Sequence, residues 1–357
     1  MLIYFIVIIA ICLIALLCFS KNPNDRKRTI FLFLSFSILF LIMGFRDNTV
    51  GTDTQLYCNI FKNNYLIKEI KDIFISGDSS PIYTIYNYII GMISHDCNFI
   101  KLANSFIICF LTALFIKKNT KHVFISTFLF LTLYHFFSSM NITRQYIAVM
   151  IVANAFVFVQ QKKATKYILC CLIAIGIHNT AVISLALLPL IWIKLNKKNI
   201  IIYIISIFLI FSLLPIILNL FAVIFPHYSL YFENNMMEEV GKNRKIIITI
   251  IYIFLEITMC YIFAKKIKHG EDMKYYFIIN ILSIILGLLS LKNLLLSRME
   301  IYFSIFSIIY IPTILSKFKQ RNILYFVLIL CMIIPMYIQL NSNNSGVTPY
   351  KTWLLRK

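Results

Sequence analysis

Charged residues are scarce in this sequence, and acidic ones are scarcest. Only 13% of the 357 residues are charged, and just 14 are Asp or Glu. Soluble domains are about a quarter charged, so the shortage excludes an ordinary soluble globule. The nine cysteines form no CxxC pair, the six histidines are scattered and no acidic cluster stands out. No metal centre is therefore expected. There is no P-loop, HExxH, G-x-S-x-G or GxGxxG, which removes the commonest nucleotide, metallohydrolase and serine-hydrolase chemistries. Leu2–Phe19 lacks a basic leader and a small-residue cleavage site, so it reads as a retained span and not a signal peptide. No repeat of 20–50 residues emerges from the sequence.

What is abundant is apolar surface. Hydrophobic residues make up 60% of the chain, and mean hydropathy is +0.84. Apolar runs able to cross about 30 Å of hydrocarbon recur from end to end. The loops are too short to bury a core, so residues 1–357 are read as one transmembrane domain of an all-α, polytopic membrane protein. The net charge of +20 then reflects topology and not nucleic acid, because Lys and Arg crowd short cytoplasmic loops.

Of the 34 Lys and Arg, 20 fall in six clusters: Lys21–Arg28, Lys117–Lys121, Lys162–Lys166, Lys194–Lys198, Lys265–Lys274 and Lys317–Arg321. Placing all six in the cytoplasm orders about ten full spans. These are Leu2–Phe19, Thr29–Phe45, Phe99–Ile116, Val123–Phe137, Ile142–Val159, Asn199–Leu218, Ile246–Ala264, Tyr275–Leu291, Met299–Leu315 and Ile323–Gln339. Both termini come out extracytoplasmic. Ile82–Ile93 is short for a span and rich in tyrosine, so an interfacial or re-entrant helix is expected near 82–93. Tyr167–Ile193 must turn back as a short membrane hairpin with His178 at its middle. Non-helical backbone at that depth is tolerated only facing protein or a wet cavity. The loops 46–98 and 226–245 share the extracytoplasmic face. Cys58 and Cys97 both fall in the first, leaving a disulfide between them open.

Five polar constellations stand out, each with a plainer alternative. Arg46 meets the outer surface just before Gly51-Thr52-Asp53, where Thr52 or Asp53 can cap a following helix. A helix N-terminus beside an arginine suits a phosphate; the alternative is a snorkelling arginine before an ordinary capped helix. Arg144, in the first turn of an apolar span, faces either a polar cavity or the nearby surface. His178 is either a hydrogen-bonded core histidine or a base. Tyr228 and Tyr231 share a helix face suited to a sugar ring, with Arg244 at the far end of their loop; an aromatic interface belt is the alternative. Arg298 and Glu300 begin a span two residues apart, so they do not face each other and at least one needs another partner. Arg46, Arg144 and Arg298 thus reach one membrane surface from three spans, against the inside-positive bias. An anionic ligand such as a lipid diphosphate is the economical reading.

Taken in order, these motifs resemble the EpsG family of polysaccharide-polymerising membrane proteins, which overlaps the Wzy-type O-antigen polymerases. The resemblance rests on Arg46…Gly51-Thr52-Asp53…Tyr57, Ser80-Pro81-Ile82-Tyr83, Thr143-Arg144-Gln145-x2-Ala148, His178-Asn179-Thr180-Ala181, Arg298-Met299-Glu300-Ile301-Tyr302-Phe303 and Pro349-Tyr350. Ser80 stands where the family often has glutamate, with Asp78 or Glu300 as substitutes, and Asn179 follows His178. The resemblance implies metal-independent, cofactor-free glycosyl transfer at the outer face of a bacterial plasma membrane. Undecaprenyl-diphosphate-linked oligosaccharide repeat units would be polymerised into O-antigen or another surface polysaccharide, with membrane lipid and a chain-length regulator as partners. Arg46, Arg144, Arg298 and, more weakly, Arg244 would hold diphosphate. His178, or else Asp53, would be the base, and Tyr57, Tyr228, Tyr231 and Glu300 would contact sugar. A flippase or exporter of the same lipid, an O-antigen ligase and a membrane acyltransferase are the competing readings. A flippase should show polar groups toward the cytoplasmic half and often an internal repeat, which this sequence lacks.

Overall fold

The computed structural model describes residues 1–19, 24–65, 80–224, 239–266, 271–291, 294–343 and 345–355. Within them the chain is helical, running α1 (Leu2–Phe19), α2 (Asp25–Gly44), α3 (Thr54–Tyr65), α4 (Pro81–Ile93), α5 (Cys97–Asn119), α6 (Val123–Thr132), α7 (His135–Asn141), α8 (Thr143–Gln160) and α9 (Ala164–Ile177). A 3₁₀ segment (Asn179–Ile191) leads to α10 (Lys197–Ile224), α11 (Glu239–Lys266), α12 (Glu271–Ser290), α13 (Leu294–Ser304), α14 (Ser307–Leu315) and α15 (Arg321–Ser342). Among the described residues, seven helices are long and apolar enough to cross a membrane, or nine if each bent pair counts as one span. The chain is a polytopic helical membrane protein. The tenth expected span, Asn199–Leu218, falls within α10, where some side chains lie outside the described residues.

The first span, α1, is apolar all round, as a lipid environment demands. In α1, Tyr4, Val7, Ile8, Ile11 and Ala15 follow the helical period into the core, while Leu2, Ile6, Ile9, Leu13, Leu16 and Leu17 are exposed on the other face. Close approach replaces the hydrophobic drive between such helices. At Gly176, where α9 meets α4, an added Cβ would lie 2.6 Å from Ile82. The helix beginning at Pro81 is present, and it packs on α3 and α9.

Two expected spans are bent: α6 and α7 meet at 53°, and α13 and α14 at 42°. The first break has a local cause in Tyr134, whose left-handed backbone (φ 68°) cannot continue a helix. At the second, the backbone ladder tightens to three-residue steps, with Phe306 N donating to Phe303 O (3.1 Å) and Ile309 N to Phe306 O (3.0 Å). The expected hairpin takes the form of α9 and the 3₁₀ segment packed together, with His178 at the junction.

Cys58 of α3 and Cys97 of α5 form a disulfide beside Phe61 and Ile100, fixing the short helix against a long one. The other cysteines are reduced: 12, 18, 109, 170, 171, 260 and 331. Alkylation of protein denatured without reductant should therefore mark seven cysteines, and after reduction nine. Nine labels before reduction, read by intact-mass spectrometry, would refute this pairing.

Candidate active site

The loop after α2 is held by the far end of the chain. Arg46 and Thr352 form an antiparallel bridge. Asp47 N donates to Lys351 O (2.9 Å), Gly51 N to Gly346 O (2.8 Å) and Thr52 N to Ser345 O (3.2 Å). Side chains repeat the stitching: Tyr350 Oη donates to Ile42 O (3.0 Å), Thr352 Oγ1 to Phe45 O (2.7 Å) and Tyr4 Oη to Val347 O (2.6 Å). Within the loop, Asp47 Oδ1 accepts from Thr49 N and Oγ1, both at 3.0 Å, in a local turn.

Gly51 then needs positive φ (95°), and a Cβ there would lie 2.6 Å from Thr54 Oγ1 and 3.0 Å from Met140 O. Asn141, at the end of α7, accepts on its Oδ1 from Asp53 N (2.8 Å) and Thr52 Oγ1 (2.9 Å), which docks the start of α3 beside the start of α8.

Three successive residues at the head of α8 gather the arginines. Thr143 Oγ1 accepts from Arg46 Nη2 at 3.3 Å. Arg144 lies over the Tyr83 ring of α4, 5.6 Å from its centroid. Gln145 Nε2 donates to the Arg298 carbonyl of α13. Arg46 itself is 1% exposed, and its Nη1 donates to Met43 O and reaches Ser105 Oγ. Arg144 and Arg298 are only half-buried. Among the described residues, the Arg298 guanidinium has neither hydrogen bond nor ion pair.

Both guanidiniums act electrostatically on His178 and on Tyr57. Burial pushes the Tyr57 phenol above its ordinary range, Asp53 adds to the rise, and Arg144 and Arg298 oppose it. His178 is 9% exposed. Its Nδ1 shares a 2.7 Å hydrogen bond with Thr180 Oγ1, which lies 3.4 Å from Tyr302 Oη. Among the described residues its Nε2 has no hydrogen-bond partner. Arg144, Arg298, His178, Tyr57 and Asp53 are therefore linked as one electrostatic group, with Arg46 walled in beside Thr143.

Glu300 is held by a neighbouring helix. Its Oε1 accepts from Ser283 Oγ (3.1 Å), and the same hydroxyl lies 3.2 Å from Glu256 Oε1 of α11. Glu256 also accepts from Ser307 (2.5 Å), whose hydroxyl is 2.9 Å from Asn280 Oδ1. Arg298 and Glu300 form no ion pair with each other among the described residues, in keeping with their spacing. Tyr228, Tyr231 and Asp78 lie outside the described residues, as does the side chain of Arg244.

Two charged residues were not singled out in the sequence. Lys101, 4% exposed, donates to Arg46 O (2.9 Å) and Asn48 Oδ1 (2.5 Å), pinning α5 to the loop. It stands in the first turn of an apolar span, the same signal that marked Arg144. Glu256 is an acid well inside an apolar span, which by itself marks a polar interior.

The fold and this half-buried cationic group at one end of it define the class: a polytopic helical membrane protein with clustered arginines at the head of α8. The chain belongs to the EpsG family, whose family model matches residues 29–352. Members of that family are Wzy-like polymerases, which makes this a polysaccharide-polymerase-type membrane protein. No curated protein and no solved structure matches the chain.

Gly51→Ala should loosen the loop that carries Arg46, because strain at positive φ adds to the clash with Thr54. A loss of roughly 1–3 kcal/mol is expected, read as a lower unfolding midpoint of the purified protein in detergent. An unchanged midpoint would contradict this turn.

Proposed function

We propose that this chain joins undecaprenyl-diphosphate-linked oligosaccharide repeat units into a surface polysaccharide at the outer face of a bacterial plasma membrane. The observation that carries the reading is that Gln145 ties the head of α8, which bears Arg144, to the Arg298 carbonyl of α13, and that both guanidiniums act electrostatically on His178 and Tyr57. A diphosphate leaving group gains charge as its bond to the sugar breaks, and half-buried guanidiniums placed there lower the barrier. The disulfide at the same end supports an oxidising, extracytoplasmic location for the site.

In the reaction, a hydroxyl of the incoming lipid-linked unit attacks the anomeric carbon of the growing glycan. A carbon–oxygen bond forms between sugars, and the bond to diphosphate breaks with its electron pair going to the phosphate oxygen. The hydroxyl proton passes to a base. His178 is preferred, since Thr180 holds one ring nitrogen and orients the other. Asp53, at the start of α3 and within the same group, is the runner-up. Arg144 and Arg298 hold the diphosphate without a metal. Arg46 positions them through Thr143, and Tyr57 offers its ring or hydroxyl to a sugar. A chain-length regulator is the expected protein partner.

Arg144→Lys and Arg298→Lys should each cut polymerisation although the charge is kept, because the planar fork that grips a diphosphate is lost. The expected cost is about 2–4 kcal/mol of transition-state stabilisation for each. The assay is ladder formation by purified protein given one lipid-linked repeat unit, a product that a flippase does not make. Near-normal ladders from both lysine variants would sink the reading.

The base is decided by a second pair of variants. His178→Gln keeps hydrogen bonding but cannot take a proton, so turnover should fall by about 10²–10⁴-fold. If His178→Gln retains activity while Asp53→Asn does not, the assignment moves to Asp53.

A further inference from the structure

At the opposite ends of the same helices lies a cavity of about 670 Å³. It sits where α2 begins, where α5 turns into α6, and where α14 ends. Arg28, Lys117, Lys118, Lys121 and Lys317 line it, with His122 among them. Asp25 is the one carboxylate on its wall, 93% exposed and spent on Arg28 at 2.6 Å. Among the described residues, the ammonium groups of Lys117, Lys118, Lys121 and Lys317 make no hydrogen bond and no ion pair.

The inside-positive bias accounts for basic residues at this end of the bundle. It does not account for three clusters, far apart in the sequence, closing round one hollow. Like charges so arranged repel unless an anion sits between them. The polar side chains on the wall are meanwhile occupied: Asn119 Oδ1 accepts from Tyr276 Oη (2.8 Å), and Ser316 Oγ donates to Thr313 O (2.7 Å).

We propose that this cavity is a binding site for a phosphate-bearing anion, held by Lys117, Lys121, Lys317 and Arg28. The local field agrees: desolvation, then Arg321, Arg28, Lys317 and Lys121, hold the His122 imidazolium below its ordinary range. A bound phosphate would reverse part of that shift. An anionic phospholipid headgroup is one source of such an anion. A free phosphate compound from the aqueous side would use the same cations. Occupancy braces α2 against α5, the two helices whose other ends carry Arg46 and Lys101.

The test uses the full chain purified in detergent. Phosphatidylglycerol, phosphatidylcholine and inorganic phosphate are added separately, and unfolding midpoints and lipid retention by native mass spectrometry are measured. A triple variant, Lys117→Gln with Lys121→Gln and Lys317→Gln, is compared with a control changed at Lys162, Lys163 and Lys166. Phosphatidylglycerol should raise the wild-type midpoint by a few degrees over phosphatidylcholine, as selective binding to the folded state requires. The triple variant should lose most of that gain and the control should keep it.

A gain from phosphatidylglycerol alone assigns the site to a lipid headgroup, and an equal gain from inorganic phosphate assigns it to a soluble anion. Equal losses in both triple variants would reduce the effect to surface charge and overturn the proposal. Should the triple variant not fold, the His122 resonance of the wild-type protein, identified by its loss in His122→Gln, still decides. Its titration midpoint must rise with the phosphate-bearing probe, and a midpoint that stays put overturns the site.

Discussion

A guanidinium taken out of water must be given acceptors, and the site end of this protein is arranged around that requirement at Arg46. The side chain is 1% exposed and meets Met43 O, Ser105 and Thr143 from three helices. Its own carbonyl is taken by Lys101, and its backbone pairs with Thr352. One residue thereby fixes the ends of α2 and α5, the head of α8 and the C-terminal strand of chain. Arg144 and Arg298 inherit their positions from this arrangement, since Thr143 and Gln145 flank Arg144 on both sides.

The class of fold was legible because lipid leaves few options. Backbone polar groups must be satisfied within each crossing, so long apolar runs become helices wherever they occur. The charge pattern also placed a turn at His178, where α9 gives way to the 3₁₀ segment. Bends were less legible. Nothing in Thr132-Leu133-Tyr134-His135 announces a left-handed residue, because Tyr134 adopts it under tertiary packing and not by propensity.

Depth, too, was hidden. The sequence put Arg46, Arg144 and Arg298 at one end alike, yet Arg46 is walled in while the other two are half-buried. Arg46 is enclosed by Met43 O, Ser105 and Thr143, neutral groups whose part in seating a guanidinium the sequence did not announce. Glu300 shows the same thing from the other side. Sharing a motif with Arg298 said nothing of its partner, Ser283, contributed by another helix.

The strap formed by residues 345–353 has a consequence for biogenesis. The loop at 45–52 emerges early in synthesis, but its backbone partners follow the last helix of the bundle. Until α15 has been inserted, Gly51, Thr52 and Asp47 lack the carbonyls that shape the loop. Early helices can therefore enter the membrane before the loop at 45–52 takes its folded shape. The folded shape of that loop depends on residues 345–353, which are made only after α15.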